Sequence, residues 1–180
     1  RVAAWKARNL APEALVADLA AVWTDTGGDL RAVSAALVTH PDLAATFRQK
    51  ARQPFDFVAA ALRALGLGAG EILALDRPQV RQYLLVPMQR MGQPFGKARG
   101  PDGWPEPAGD WITPQLLSAR IGWALSMPQR LVEPFPDPRA FLSTALGTTA
   151  SEALVRAVPR AENAREGVAI VLASTEFNRR

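Results

Sequence analysis

The sequence contains no cysteine. Disulfides, thiolate nucleophiles, iron–sulfur clusters and cysteine-based zinc sites are therefore excluded. The compartment stays open, because an exported protein can also lack cysteine. His40 is the single histidine, so no His-rich zinc site can form. Long hydrophobic runs are missing too. Even Val168–Ala173 falls far short of the roughly 20 residues of a membrane span. No signal peptide is visible. The chain opens on Arg1 rather than Met, which leads us to expect a fragment or processed product. No alternating polar and apolar run marks a strand. Gly66-Leu67-Gly68-Ala69-Gly70 follows a helical pattern, whereas a dinucleotide fingerprint follows a strand, so it reads as a helix stop and linker.

What is present fits one globular domain over residues 1–180. The hydrophobic share is 48%. A compact domain of this size removes roughly 70% of its unfolded surface from water and needs no staples. The net charge of +4 comes mostly from arginine spread along the chain, and arginine alongside much alanine fits a GC-rich genome. The tight basic cluster is Arg48, Lys50 and Arg52. A nucleic-acid surface shows denser basic stripes with interleaved aromatics, so that class is the least favoured.

Apolar residues recur at helical spacing along most of the chain. Leu15, Leu19, Val22 and Trp23 mark a first helix, stopped by Gly27-Gly28. Asp29 caps a second, with Leu30, Val33 and Leu37 as its stripe, and His40-Pro41 ends it. A basic connector, Arg48 to Gln53, leads to a third helix at Pro54 with Phe55, Val58, Leu62 and Leu65 inward. Asp76 caps a fourth, in which Val80, Leu84, Met88 and Met91 share a side and Pro87 predicts a kink. Thr113-Pro114 opens a fifth carrying Leu117, Ile121, Ala124 and Leu125. Met127 to Asp137 reads as extended. Pro138 to Leu146, Ser151 to Val158 and Ala161 to Ala173 complete the set. Trp5, Trp23 and Trp123 are expected in the core. The expectation is an all-α, irregular bundle of about seven or eight helices. Residues 35–43 and 169–177 echo one another, and shared helix-ending chemistry is the simpler account of the echo.

Between Met91 and Trp111 runs one long Trp/Pro/Gly-rich loop (MGQPFGKARGPDGWPEPAGDW). Loops of this length are functional or disordered as a rule. Its aromatic residues argue against disorder. The favoured reading is an ordered loop pinned by Trp104 and Trp111. The alternative is a tryptophan platform for a sugar ring, a peptide or a partner protein, with Lys97 and Arg99 beside it to meet an anion. Asp102, Glu106 and Asp110 lie in the same stretch. Loop acids usually meet water or cap backbone N–H groups; catalysis by paired carboxylates requires that two converge. Oxygen clusters can also bind calcium or a polar ligand, and the spacing here matches no EF-hand pattern. His40 has Thr39 and Asp42 nearby, yet sequence adjacency is not triad geometry, and the plainer reading is a histidine at a helix C-terminus interacting with the last carbonyls.

Several segments together resemble the C-terminal part of a large bacterial family known as domain of unknown function 1800. They are GGDLRAVSAALVTHPD, PFDFVAAALRALG, the stretch from Met91 to Leu125, and LASTEFNRR. The most specific part is Gly92-Gln93-Pro94, Gly103-Trp104-Pro105, Trp111 and Leu116-Leu117-Ser118-Ala119-Arg120. The family is longer on its N-terminal side, and Arg1 to Leu10 fits its pattern poorly. The resemblance implies a mainly helical fold and a piece of a larger, often exported protein of the bacterial periplasm or cell exterior. It brings no catalytic residues.

Three functions are weighed on these grounds. The first is a non-catalytic binding or scaffolding module with a protein or glycan partner, using Trp104, Trp111, Asp102, Glu106, Lys97 and Arg99. The second is part of a polymer hydrolase with loop carboxylates as acid and base. The third is nucleic-acid binding. No cofactor or metal is expected, and the oligomeric state stays open.

Overall fold

A computed structural model describes residues 12–45, 48–98 and 100–180. Their regular elements are helices, and no strand occurs among them; two isolated bridges, Ala51 with Arg179 and Gly100 with Gly103, are the sole β-type pairings there. Trp5 and Arg99 lie outside the described residues. The chain divides into two compact units with the boundary between Gln49 and Lys50.

The first unit holds α1 (Glu13–Asp25), α2 (Leu30–Thr39) and the short α3 (Pro41–Ala45). Gly27 and Gly28 make the turn with φ of +63° and +92°, a region that costs other residues energy. Asp29 caps α2 by accepting from the Arg31 N–H at 2.8 Å. Trp23 is not core: it is 49% exposed, and its ring lies over Gly28. An indole fits there because Gly28 has no Cβ. His40 also departs from expectation. Its Nδ1 accepts the Asp42 N–H at the start of α3, and its Nε2 lies 3.1 Å from the Asp18 carboxylate. Because Nδ1 accepts, the proton sits on Nε2 and is donated to Asp18. The imidazole thus fastens two helices instead of capping carbonyls. The ends of α2 and α12 (Ala164–Ala173) share one geometry, with the first extended residue donating three positions back, His40 to Leu37 and Ser174 to Val171.

In the second unit proline restarts the helices. Pro54 opens α4 (Pro54–Ala64), Pro114 opens α8 (Pro114–Ser126), Pro128 opens α9 (Pro128–Leu131) and Pro138 opens α10 (Pro138–Leu146). Each ring fixes φ where the N–H has no intrahelical partner. The residue before Pro is pushed out of the helical region, which leaves Gln53 extended at φ −64° and ψ 156°. Side chains then cap: Asp137 accepts from the Arg139 and Ala140 N–H groups, and Asn163 from that of Glu166. The remaining elements are α5 (Ala69–Leu73), α6 (Arg77–Gln79), α7 (Val86–Arg90), α11 (Glu152–Ala157) and α12. Met127 to Asp137 is shorter as a loop than expected, because Pro128 supplies one more helical start.

The core lies where α12 packs on α8 and α10. Val168, Val171, Leu172, Phe141, Phe57, Trp123 and Phe177 are almost fully buried there. Phe57 meets Trp123 and Phe177 edge to face at 5.6 and 5.8 Å, contacts worth about 0.5–1.5 kcal/mol each beyond area. Two expected faces hold in part: Val58, Leu62 and Ala124 are buried as expected, while other residues of the two stripes are not. In α4, Phe55 is half exposed and Phe57 is inside. In α8, Ile121 and Leu125 face outward while Arg120, Trp123 and Ala124 are buried. Apolar residues outnumber the buried positions in both helices, so periodicity marks a broad face and tertiary partners choose which of its edges is buried.

The kink expected at Pro87 takes a particular form. Between α6 and α7 the helix widens into a π-helical stretch, Val80–Leu85, and the Val86 N–H bonds to the Arg81 carbonyl. Pro87 has no N–H for the Tyr83 carbonyl. That carbonyl instead accepts the Trp123 indole N–H at 2.8 Å.

Candidate functional site

The extended residues before Pro54 form the centre of the site. Lys50 to Gln53 run as a strap across the second unit and join four distant segments. The Arg52 N–H donates to the Asn178 carbonyl, and the Arg180 N–H to that of Lys50, both at 2.8 Å. The Lys50 ammonium meets Glu106 at 2.9 Å. Gln53 accepts from the Gln93 carboxamide at 2.9 Å and donates to the Pro105 carbonyl at 3.3 Å. The Gln93 oxygen in turn accepts the Phe55 N–H at 2.7 Å. Gln93 is 6% exposed, so this satisfaction is what permits its burial.

Arg120 anchors the strap from below. It is fully buried, donating to the Asn178 side-chain oxygen at 3.0 Å and the Arg52 carbonyl at 2.8 Å. Its guanidinium lies 5.2 Å from the Phe57 ring centroid. No carboxylate among the described residues pairs with it, and its Nε makes no hydrogen bond within the protein. Burial lowers its pKa from the ordinary arginine value to about 10, so it remains charged at neutral pH. Asn178 faces it as an amide for a reason. Its nitrogen donates to the Leu172 and Ser174 carbonyls while its oxygen receives Arg120. An aspartate would turn an oxygen toward two carbonyls.

Above the strap lies a cleft of about 280 Å³. Phe55, Phe95 and Trp104 line it with Met88, Gly96 and Asp56, and Gln53 and Gln93 supply polar groups. Phe55 and Phe95 are 50% and 63% exposed, with ring centroids 6.3 Å apart. Trp104 is partly buried and meets Trp111 edge to face at 6.0 Å. Trp111 is 2% exposed and donates its indole N–H to the Pro105 carbonyl at 2.8 Å. One tryptophan therefore holds the loop and the other faces the cleft.

The other sequence candidates are dispersed. Lys97 and Asp102 are exposed and do not line the cleft. Glu106 is held by Lys50. Asp110 is exposed on the 3-10 turn Ala108–Asp110. No group of three or more acidic or histidine side chains able to hold a metal occurs among the described residues. No described helix is long and apolar enough to cross a membrane.

Residues 4–179 match the family model described as Protein of unknown function (DUF1800). The chain belongs to that family. No curated protein and no solved structure matches it. The positions on which the resemblance to DUF1800 rested, Gln93, Pro105, Trp111, Arg120 and Asn178, converge on the strap although they span 86 positions in sequence. Sequence reasoning read residues 48–53 as a basic connector and weighed Arg48, Lys50 and Arg52 only for nucleic acid; it placed Phe55 in a core stripe and Arg120 in the family motif, and gave no site role to Phe55, Phe95, Gln53 or Arg120. A charged or amide residue on an otherwise apolar helix face was the available signal, since such groups are buried only with partners.

Proposed function

We propose that this chain is a non-catalytic binding module of a larger exported bacterial protein, and that the aromatic cleft takes a ring or apolar side chain of a glycan or protein partner. One observation carries the reading: two phenylalanines half or more exposed on one small cleft, backed by Trp104. Exposed aromatic groups beside polar carboxamides suit stacking on one face and hydrogen bonding on the other. The cleft is small for a whole ligand and fits a single ring. The hydrolase alternative requires two of Asp102, Glu106 and Asp110 to converge; all three are exposed and Glu106 is engaged by Lys50. Nucleic-acid binding requires a basic stripe, while Lys50 is paired and Arg52 stacks on Phe177 at 4.8 Å.

A glycan array and a pull-down, run with the full-length protein and with this chain, test the proposal. Phe95→Ala and Trp104→Ala should leave helical circular dichroism intact and abolish capture. Binding by a folded Phe95→Ala variant at parental strength refutes the cleft; this variant decides the matter even if Trp104→Ala fails to fold. Capture by the full-length protein alone also refutes it. We also propose that residues 1–180 unfold as one cooperative domain; a single unfolding transition is expected, and two separate transitions would contradict it.

A further inference from the structure

A second depression, of about 540 Å³, lies on the other side of Asp56. Its lining includes Ala59, Ala60 and Ala64 of α4 with Thr144 and Ala145 of α10. Small side chains let a ligand approach both helices closely. Three arginines, Arg52, Arg63 and Arg180, line the same groove against one carboxylate, Asp56.

The arginines are held differently. Arg180 is fixed by Asp56 at 2.7 Å, and its backbone is tied to Lys50. Arg52 stacks on Phe177, and its Nε donates to the Arg179 carbonyl at 3.2 Å. Arg63 is exposed, in the last turn of α4. Two guanidinium groups are thus preorganised and a third can close from the rim. A groove with excess charge of one sign concentrates counter-ions, and the planar guanidinium fork matches the oxygens of carboxylate and phosphate.

We infer that this arginine groove binds a ligand bearing two or more oxyanion groups. The site is separate from the aromatic cleft and does not depend on that reading. Titration calorimetry at low ionic strength with pyrophosphate and with citrate tests it, and the tighter of the two identifies the oxyanion as phosphate or carboxylate. Saturable binding is expected, weakened about tenfold or more by Arg63→Glu, a difference of roughly 1.4 kcal/mol. Arg63→Gln should give a smaller loss. Arg156→Glu alters an arginine outside the groove and should bind as the parent does, as should Phe95→Ala. Absence of saturable binding by either anion overturns the inference. So does an Arg156→Glu loss as large as that of Arg63→Glu, which would reduce the effect to net charge.

Discussion

Replacing Arg120 by Met tests whether a buried cation fastens the C-terminal segment to the strap. Methionine keeps most of the length and removes the charge. Two contributions oppose each other. The lowered pKa corresponds to a desolvation cost of roughly 3 kcal/mol, which the variant recovers. Against this it loses two hydrogen bonds from a charged donor, about 1.5–3 kcal/mol each. The loss also strands the Asn178 oxygen and the Arg52 carbonyl in a dry interior. The balance is a net destabilisation of about 1–3 kcal/mol. Urea unfolding followed by circular dichroism measures it, and hydrogen exchange should show faster exchange over residues 172–180. A variant as stable as the parent, with unchanged exchange there, would refute the argument. The pH dependence follows from the same group. Arginine is a base whose folded-state pKa lies below its unfolded value, so the folded state holds the proton less tightly. The penalty is complete below about pH 10 and is relieved as pH rises above it toward the ordinary arginine value. The parent should therefore gain stability relative to Arg120→Met as pH rises above about 10. A narrowing gap would contradict the sign.

Two further substitutions probe the frame that holds the site. An alanine at Gly167 would place its Cβ 2.6 and 2.7 Å from the Pro138 ring. Overpacking of about 1–3 kcal/mol outweighs the gain of about 1 kcal/mol in helix propensity, so Gly167→Ala should lower the melting temperature; a rise would show that α10 and α12 can part freely. Asp137→Ala removes the acceptor of two N–H groups at the start of α10 and should cost about 1 kcal/mol in chemical denaturation, and an unchanged midpoint would mean that water replaces the cap at no cost.

Helix positions were readable because proline, aspartate and glycine act locally. Asp29, Asp76, Thr113 and Pro138 start helices where the sequence places them, and the periodicity of Leu84, Met88 and Met91 gives the correct buried face. Rotation was harder. Phe55 and Phe57 are equally apolar, and what distinguishes them is Trp123 and Phe177, which lie 66 and 120 positions beyond Phe57. The site was legible in half. Trp111 and Trp104 mark the loop by composition alone. The strap escapes notice because its bonds to the C-terminal segment are made by backbone groups of Lys50, Arg52, Asn178 and Arg180, which every residue carries, and because its side-chain partners are distant in sequence.

The carbonyl that Pro87 leaves without a helical partner does more than accept one bond. Helices joined only by apolar side chains can slide by a turn, about 5.4 Å, and still bury comparable surface. Tyr83 carries the oxygen that Trp123 reaches, so any displacement of α8 along its neighbour strands both groups in a dry core. The proline thus works as an address: it writes a single coordinate on one helix that its neighbour must read correctly. Because Arg120 is one turn from Trp123 on the same helix, the error would reach the strap, and with it both depressions on either side of Asp56.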